Sequence, residues 1–382
     1  IAPRHKQTCL FMPWRNAEKA NAKPALVLAT IAETLLDQID RQTWLISDGS
    51  LDAQLLPIIK REKMPLKVLS MAAQSYKPLR THVLNQIEDV TLRNRAEIGY
   101  DALLGEWFTR PDAAVKDVAV MFSADVWSKA GLIPVPNVLF FSGAIERERI
   151  DLLALKQRHM RVWDELLPVL EAEIEHGTFA PLIKHTKRRL GLVANNLGVL
   201  LEDDDMQADA YEVYRRARDL DPNNASALLN AHGLVLSGGD YMDGDIVQQE
   251  MDDFLARFQN RPIRIIDIIA NYGVVRESKA LASMGEVLSR SGEASQGISQ
   301  LERALALSTG EEQLSLEMRL AELYFVQDRH EESEELLIKL LRENPKHQRA
   351  LLGILSLSMK RGEYDRARKF LEHARRAGVD ST

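Results

Sequence analysis

After residue 190 the chain repeats one arrangement of small, apolar and helix-ending residues four times, and this period constrains the fold more than any other sequence feature. The first copy reads Leu197-Gly198, Leu201, Ala210, Tyr214, Ala217 and Pro222. The second reads Met284-Gly285, Leu288, Gly292, Gly297, Leu301, Ala304 and Thr309. The third reads Leu320-Ala321, Tyr324, Asp328, Ser333, Leu337, Leu340 and Pro345, and the fourth Ile354-Leu355, Ser358, Gly362, Ala367, Leu371 and Ala374. Copies two and three are 36 residues apart, and copies three and four 34. Each position has a mechanical reason. The small residue after the first apolar one lets two antiparallel helices approach closely. Gly or Asp ends the first helix, glycine because it enters the left-handed region without a Cβ clash. A terminal proline cannot continue the second helix. One hairpin leaves an apolar face uncovered, so hairpins must stack.

These residues resemble the tetratricopeptide repeat family over about 191–381, with copies near 191–224, 278–311, 314–347 and 348–381. The fourth departs from the pattern at Leu355 and Val379. The resemblance implies a superhelix whose first helices line a concave channel for an extended peptide or partner helix. The corresponding positions are Asn195, Val199, Glu202, Ala282, Glu286, Ser289, Met318, Glu322, Phe325, Leu352, Ser356 and Met359. Such a groove is mixed apolar and acidic and suits a partner with apolar anchors and positive charge. The same face can instead pack on the N-terminal region or on another copy of the chain. Asn195 and Asn196 echo the family's carboxylate clamp, but Val199, Ala282 and Glu286 depart from it.

Between the copies, Ala227–Leu236 and Asp245–Phe258 read as helices, and Arg264–Ile269 with Tyr272–Ser278 as an irregular hairpin. Upstream, Arg149–Glu175 places Leu152, Leu155, His159, Val162, Leu166 and Leu170 near one helical face, and a further helix is expected around Pro181–Val193.

Residues 1–145 read differently. Short apolar runs (Thr8–Met12, Thr43–Ser47, Leu66–Ser70, Val118–Phe122, Val138–Phe141) alternate with helical stretches (Pro24–Asp40, Leu51–Glu62, Leu79–Phe108 broken near Gly99, Asp125–Ala130). Strands separated by helices predict an α/β domain, doubly wound with a mostly parallel sheet and Rossmann-like or flavodoxin-like, followed by an all-α solenoid over 146–382. In such sheets ligands sit beyond the carboxyl ends of the strands. That rule points to a crevice with Arg15 beside Trp14 and Asn16, then Asp48 and Ser50, then Asp125. The bland reading of Asp48-Gly49-Ser50-Leu51-Asp52 is a glycine turn with Ser50 and Asp52 capping the next helix, and Asp125 reads as a first-turn helix residue.

No phosphate-binding glycine loop, nucleophile elbow or HExxH is present, and no histidine spacing suits a metal, so no cofactor, metal or catalytic residue is assigned. Asp203-Asp204-Asp205 lacks the further oxygen ligands of a calcium loop. Lys184, Lys187, Arg188 and Arg189 read as a solvated or ion-paired face. The net charge of −7 argues against a general nucleic-acid binder. The charge divides unevenly: residues 1–145 carry 17 Lys or Arg against 15 Asp or Glu, the rest 32 against 41. Cys9, the sole cysteine, excludes an intrachain disulfide. The non-Met start, Ile1-Ala2-Pro3, is read as a processed product, favouring an extracytoplasmic or membrane-associated place, with any membrane tie through a segment outside this chain. The expected function is a protein- or peptide-binding scaffold; the alternative is an enzyme with a small-ligand site at the strand ends, docked by its repeats.

Overall fold

The computed structural model describes residues 23–376 except 75, 122–123, 175–178, 239–240 and 259–263. The expected strand Thr8–Met12 and Arg15 lie outside the described residues. The chain divides into two compact units, one of residues 1–252 with 271–274, the other of 253–270 with 275–382.

In the first unit the elements run α1 (Lys23–Asp37), β1 (Trp44–Ser47), α2 (Asp52–Glu62), β2 (Lys67–Ser70), α3 (Lys77–Leu84), α4 (Val90–Ile98), α5 (Tyr100–Phe108), α6 (Pro111–Asp117), β3 (Val118–Val120), α7 (Asp125–Lys129), β4 (Ile133–Asn137) and β5 (Phe140–Ala144). The strand order is β2-β1-β3-β5-β4. β1 runs parallel to β2 and β3, with Ile46 opposite Leu69 and Val120. β5 runs antiparallel to both β3 and β4. The described sheet is therefore mixed, correcting the mostly parallel expectation. The missed strand is β4, whose Pro134 and Pro136 hid it from a propensity reading. An edge strand tolerates proline because one side of its backbone needs no ladder partner. The run expected at Val138–Phe141 splits accordingly: Val138 and Leu139 make the hairpin turn and the strand is Phe140–Ala144.

All four residues of β1 are buried. Trp44 meets Trp107 edge-on at 5.4 Å, and Phe108 meets Trp127 at 4.8 Å. Gly143 is where Trp127 lies on the sheet: a Cβ there would stand 2.3 Å from the indole. Val193, from the helix that opens the first repeat, joins this same core.

α8 (Leu152–Ile174) buries Leu152, Leu155, His159, Val162, Leu166 and Leu170, the face the sequence pattern marks. His159 Nε2 accepts from the Val138 N–H at 2.7 Å, while Nδ1 donates to the Leu155 carbonyl at 2.8 Å. This bond pins a β-branched turn residue held at φ 49°. Burial pushes the fully enclosed imidazole down to about 4, so it is neutral. The helix expected around Pro181–Val193 is not separate: α9 runs unbroken from Ala180 to Glu202. It forms a hairpin with α10 (Gln207–Leu220), followed by α11 (Ala225–Leu236) and α12 (Gly244–Phe258). After α13 (Ile265–Tyr272), residues 273–277 are non-helical, which corrects the helical reading of Tyr272–Ser278.

The second unit contains three hairpins: α14 (Ser278–Arg290) with α15 (Ala294–Ala306), α16 (Gly310–Val326) with α17 (His330–Glu343), and α18 (Gln348–Lys360) with α19 (Tyr364–Arg376). The repeat positions do what their spacing predicts. In both units the turn between paired helices uses a left-handed residue: Asp205, Gly292, Asp328 or Gly362. Close approach falls on the small residues. A Cβ on Gly198 would sit 2.4 Å from the Tyr214 ring, and Ser333 Oγ reaches the Ala321 carbonyl at 2.8 Å. A Cβ on Gly285 would lie 2.8 Å from the Gly297 carbonyl oxygen, a backbone atom that cannot swing away. Gly285→Ala should therefore destabilise the second unit by about 1–3 kcal/mol despite alanine's better helix propensity. Urea unfolding of the chain checks this, and an unchanged or raised midpoint would refute the close approach.

Candidate functional site

Three groups of polar residues compete for a functional reading. The first is the expected strand-end crevice. Asp48 follows β1, and its carboxylate receives Arg189 Nη2 at 2.8 Å, His185 Nε2 at 3.3 Å, and the Ser50 N–H and hydroxyl at 2.9 and 2.6 Å. Burial raises its pKa, but the hydrogen bond from His185, the Arg189 charge and the Ser50 donors outweigh this. They hold the carboxyl well below the usual range. Ser50 thus donates to Asp48 rather than capping α2, while Asp52 accepts from Ser47 Oγ at 2.5 Å. Gly49, at φ +93°, makes the turn as expected. Asp125 stands exposed in the first turn of α7, and Arg15 lies outside the described residues. Asp48 is therefore engaged in an ion pair between the sheet and α9, 141 residues away in sequence, with only 16% and 11% of the two side chains exposed. Burial pushes the Arg189 guanidinium down, and its Nε and Nη1 find no other partner.

The second group lies on the first repeat hairpins and was only half visible in the sequence. Asn195 and Asn196 on α9, with Ser226 and Asn230 on α11, converge on residues 271–274 of the same unit. Asn195 Nδ2 and Asn230 Nδ2 donate to the Val274 carbonyl at 2.8 and 2.9 Å. Asn196 Oδ1 accepts from the Val274 N–H at 2.9 Å, and Ser226 Oγ donates to the Gly273 carbonyl at 2.8 Å. Asn230 also donates to Asn195 Oδ1 at 2.9 Å, which orients both amides. Arg188 binds Asn271 and lies over the Tyr272 ring at 5.1 Å. Only glycine passes the centre: Gly273 has φ +94°, and a Cβ would meet Asn196 Oδ1 at 2.4 Å. Asn195 and Ser226 are fully buried and Asn230 nearly so. Uncharged amides suit this role, because they can be desolvated cheaply once both donor and acceptor are met. The asparagines read main chain, meeting the Val274 N–H and C=O, while Gly273 and the Arg188 contacts to Asn271 and Tyr272 make the turn itself residue-specific. The Asn195-Asn196 pair was legible. Ser226, Asn230 and Gly273 were not, and the available signal was asparagine and serine recurring on otherwise apolar helix faces.

The third group is the expected groove. Val199, Glu202 and Met318 are buried, like Asn195, and do not open on solvent; Glu202 accepts from Tyr214 Oη at 2.7 Å. Ala282 is buried too. In the second unit Glu286 pairs with Arg319 and Arg290, and Glu322 with Arg349 at 2.6 Å. The acidic character expected of this face is thus largely neutralised from within. Ser289 donates to the Gly285 carbonyl at 2.8 Å, and Phe325 sits under Lys360 at 5.0 Å. Leu352, Ser356 and Met359 form one exposed stripe on α18 beside the exposed, ion-paired Glu322, and Val326 is exposed on α16.

No protein-family model matches the sequence, and no curated protein matches it. Among solved structures the chain is similar to the MamA protein (19% identity, 49% of this chain and 91% of that one, TM-score 0.27). It is also similar to YrrB, described as a TPR protein with an unusual peptide-binding site (16%, 53% and 94%, 0.27), and to the P58(IPK) TPR domain (15%, 97% and 92%, 0.26). The paired helices after residue 190 have the antiparallel hairpin geometry that the tetratricopeptide resemblance predicts. No described helix is long and apolar enough to cross a membrane.

Two outcomes check this geometry. Asp48→Asn leaves a buried guanidinium without its counter-charge and should cost about 3 kcal/mol, whereas removing Arg189 as well should add much less. The Asp48 carboxyl is depressed in the fold, so its contribution is present above the ordinary carboxylate pKa near 4 and is lost as pH falls below it. Wild type and Asp48→Asn should therefore converge in stability in acid, as measured by denaturant titration across pH. Separately, Asn196→Ala removes the acceptor of the Val274 N–H. Hydrogen exchange at that amide should quicken about fivefold, as loss of roughly 1 kcal/mol implies; an unchanged rate would mean that the asparagine does not hold Val274.

Proposed function

We propose that this chain is a scaffold that recruits protein partners through its repeat hairpins, engaging them as extended or apolar-anchored segments. The observation that supports it most directly is the set of asparagines on α9 and α11 that satisfies both the N–H and the C=O of Val274. A face whose amides meet the Val274 N–H and C=O has the chemistry to hold the main chain of a foreign segment. The open stripe Leu352–Ser356–Met359 on the second unit offers a different mode, apolar anchors beside charges already paired, which places binding energy in burial rather than in ion pairing. The partner class is protein or peptide, and the overall charge of −7 disfavours nucleic acid. Catalysis at the strand ends is the weaker reading, because Asp48 is committed to Arg189 and His185.

The test uses the full chain with a photo-activated cross-linking residue at Ser356 and compares the wild-type face with Leu352→Glu plus Met359→Glu. Both side chains are exposed, so the fold should be retained, which the helical circular dichroism signal verifies. Cross-linked partner should fall at least tenfold; recovery equal to wild type would sink the open-face reading.

A further inference from the structure

A cavity of about 770 Å³ in the first unit opens at the amino edge of β1 and β3, opposite the strand-end crevice that holds Asp48. The antiparallel hairpin explains the position. Reversing direction carries the end of β5 (Ser142–Ala144) and its following turn to the edge where β1 and β3 begin. The start of α8 then closes the third side.

Arg158 forms part of this cavity's wall. Its Nη2 donates to Asn137 Oδ1 at 2.7 Å, and Asn137 is fixed in turn by donating to Ser142 Oγ at 2.8 Å and to the Val135 carbonyl. The guanidinium is therefore oriented by a buried amide, not neutralised by one. Its Nε is buried with no hydrogen-bond partner. Burial pushes the Arg158 pKa down, with only partial relief from the charge of Asp40. Around it stand Arg41, Lys116 and Arg161. Three acids line the same cavity: Asp40 lends Arg158 its partial relief, Asp151 accepts from the Ala154 N–H at 3.0 Å at the start of α8, and Asp112 sits in the first turn of α6 against the helix dipole. Val115, Val135, Ile145 and Leu155 supply an apolar wall.

We propose that this cleft binds a small phosphate ester, its phosphoryl group taken by Arg158 and the surrounding cations and its body lying against the apolar wall. Pre-oriented by Asn137 through Nη2, the guanidinium keeps its Nη1 edge for a phosphoryl oxygen. The lining cations Arg41, Lys116, Arg158 and Arg161 outnumber the carboxylates Asp40, Asp112 and Asp151, and this excess favours an anion, a dianion over a monoanion. The volume exceeds what bare phosphate fills and lies in the range of small-molecule pockets. Nothing in this inference depends on the hairpin faces, so it stands or falls separately from the scaffold reading.

Isothermal titration of the full chain with inorganic phosphate, pyrophosphate, adenosine 5′-monophosphate and citrate at low ionic strength tests it. Pyrophosphate or the nucleotide should bind saturably and more tightly than phosphate. Added salt should weaken binding, and Arg158→Gln should lower affinity at least tenfold. Lys116→Gln and Arg161→Gln, at the exposed rim, should each weaken binding several-fold, and these decide the matter if Arg158→Gln does not fold. Absence of saturable binding by all three phosphate probes overturns the proposal, as does affinity unchanged in the variants. Citrate binding as tightly as pyrophosphate overturns the assignment to phosphate esters.

Discussion

A helix pair with apolar residues on both sides must be covered twice, once within the hairpin and once by a neighbour. Every repeat in this chain depends on how closely the two helices of a pair can approach. At Gly198 the neighbour is an aromatic ring, at Gly285 a backbone carbonyl, at Ala321 a serine hydroxyl. At these points a methyl group or less decides the spacing, and the larger apolar residues (Leu301, Leu337, Leu340) fill what remains. Interior packing is dense enough that such distances are set by side-chain volume. The small positions thus act as the gauge of the stack, and the left-handed turns at Asp205, Gly292, Asp328 and Gly362 keep each pair antiparallel.

The first unit joins this architecture to a sheet by a different kind of contact. Val193 contributes to the sheet's core, while a few residues earlier on the same helix Arg189 reaches Asp48. A desolvated ion pair adds little net stability against an apolar alternative, but breaking one partner is costly. Such a pair specifies placement more than it strengthens it. On the opposite edge of the sheet Arg158 is also partly desolvated, yet it is braced by Asn137 and lacks a carboxylate in contact. The two arginines show how one residue type can serve as a structural clamp or as a prospective ligand group, according to what lies within 3 Å.

Much of this fold was legible in the residues. The repeat spacing, the turn positions, the buried stripe of α8 and three of the five strands follow from local rules: periodicity, helix breakers and apolar runs. The losses have equally local causes. β4 was hidden by two prolines that only an edge position excuses, and the non-helical stretch after α13 begins at Gly273, which passes too close to Asn196, remote in sequence, for any side chain. The candidate groove was legible only in part. Helical spacing names the residues on one face of a helix but not what covers that face, so buried Val199, Glu202 and Met318 appeared beside open Ser356 and Met359.

The sequence by itself determined that this chain makes hairpins after residue 190, where they turn, and which small residues let them close, because those properties are written within a few dozen neighbouring positions. Only the tertiary structure decided which polar groups are spent and which are available. Asp48 meets Arg189 across 141 residues, Asn195 meets Val274 across 79, and Glu286 meets Arg319 on the next repeat. The worth of a charge or an amide depends on its partner and on the water excluded around it, and neither is a property of the residue's place in the chain.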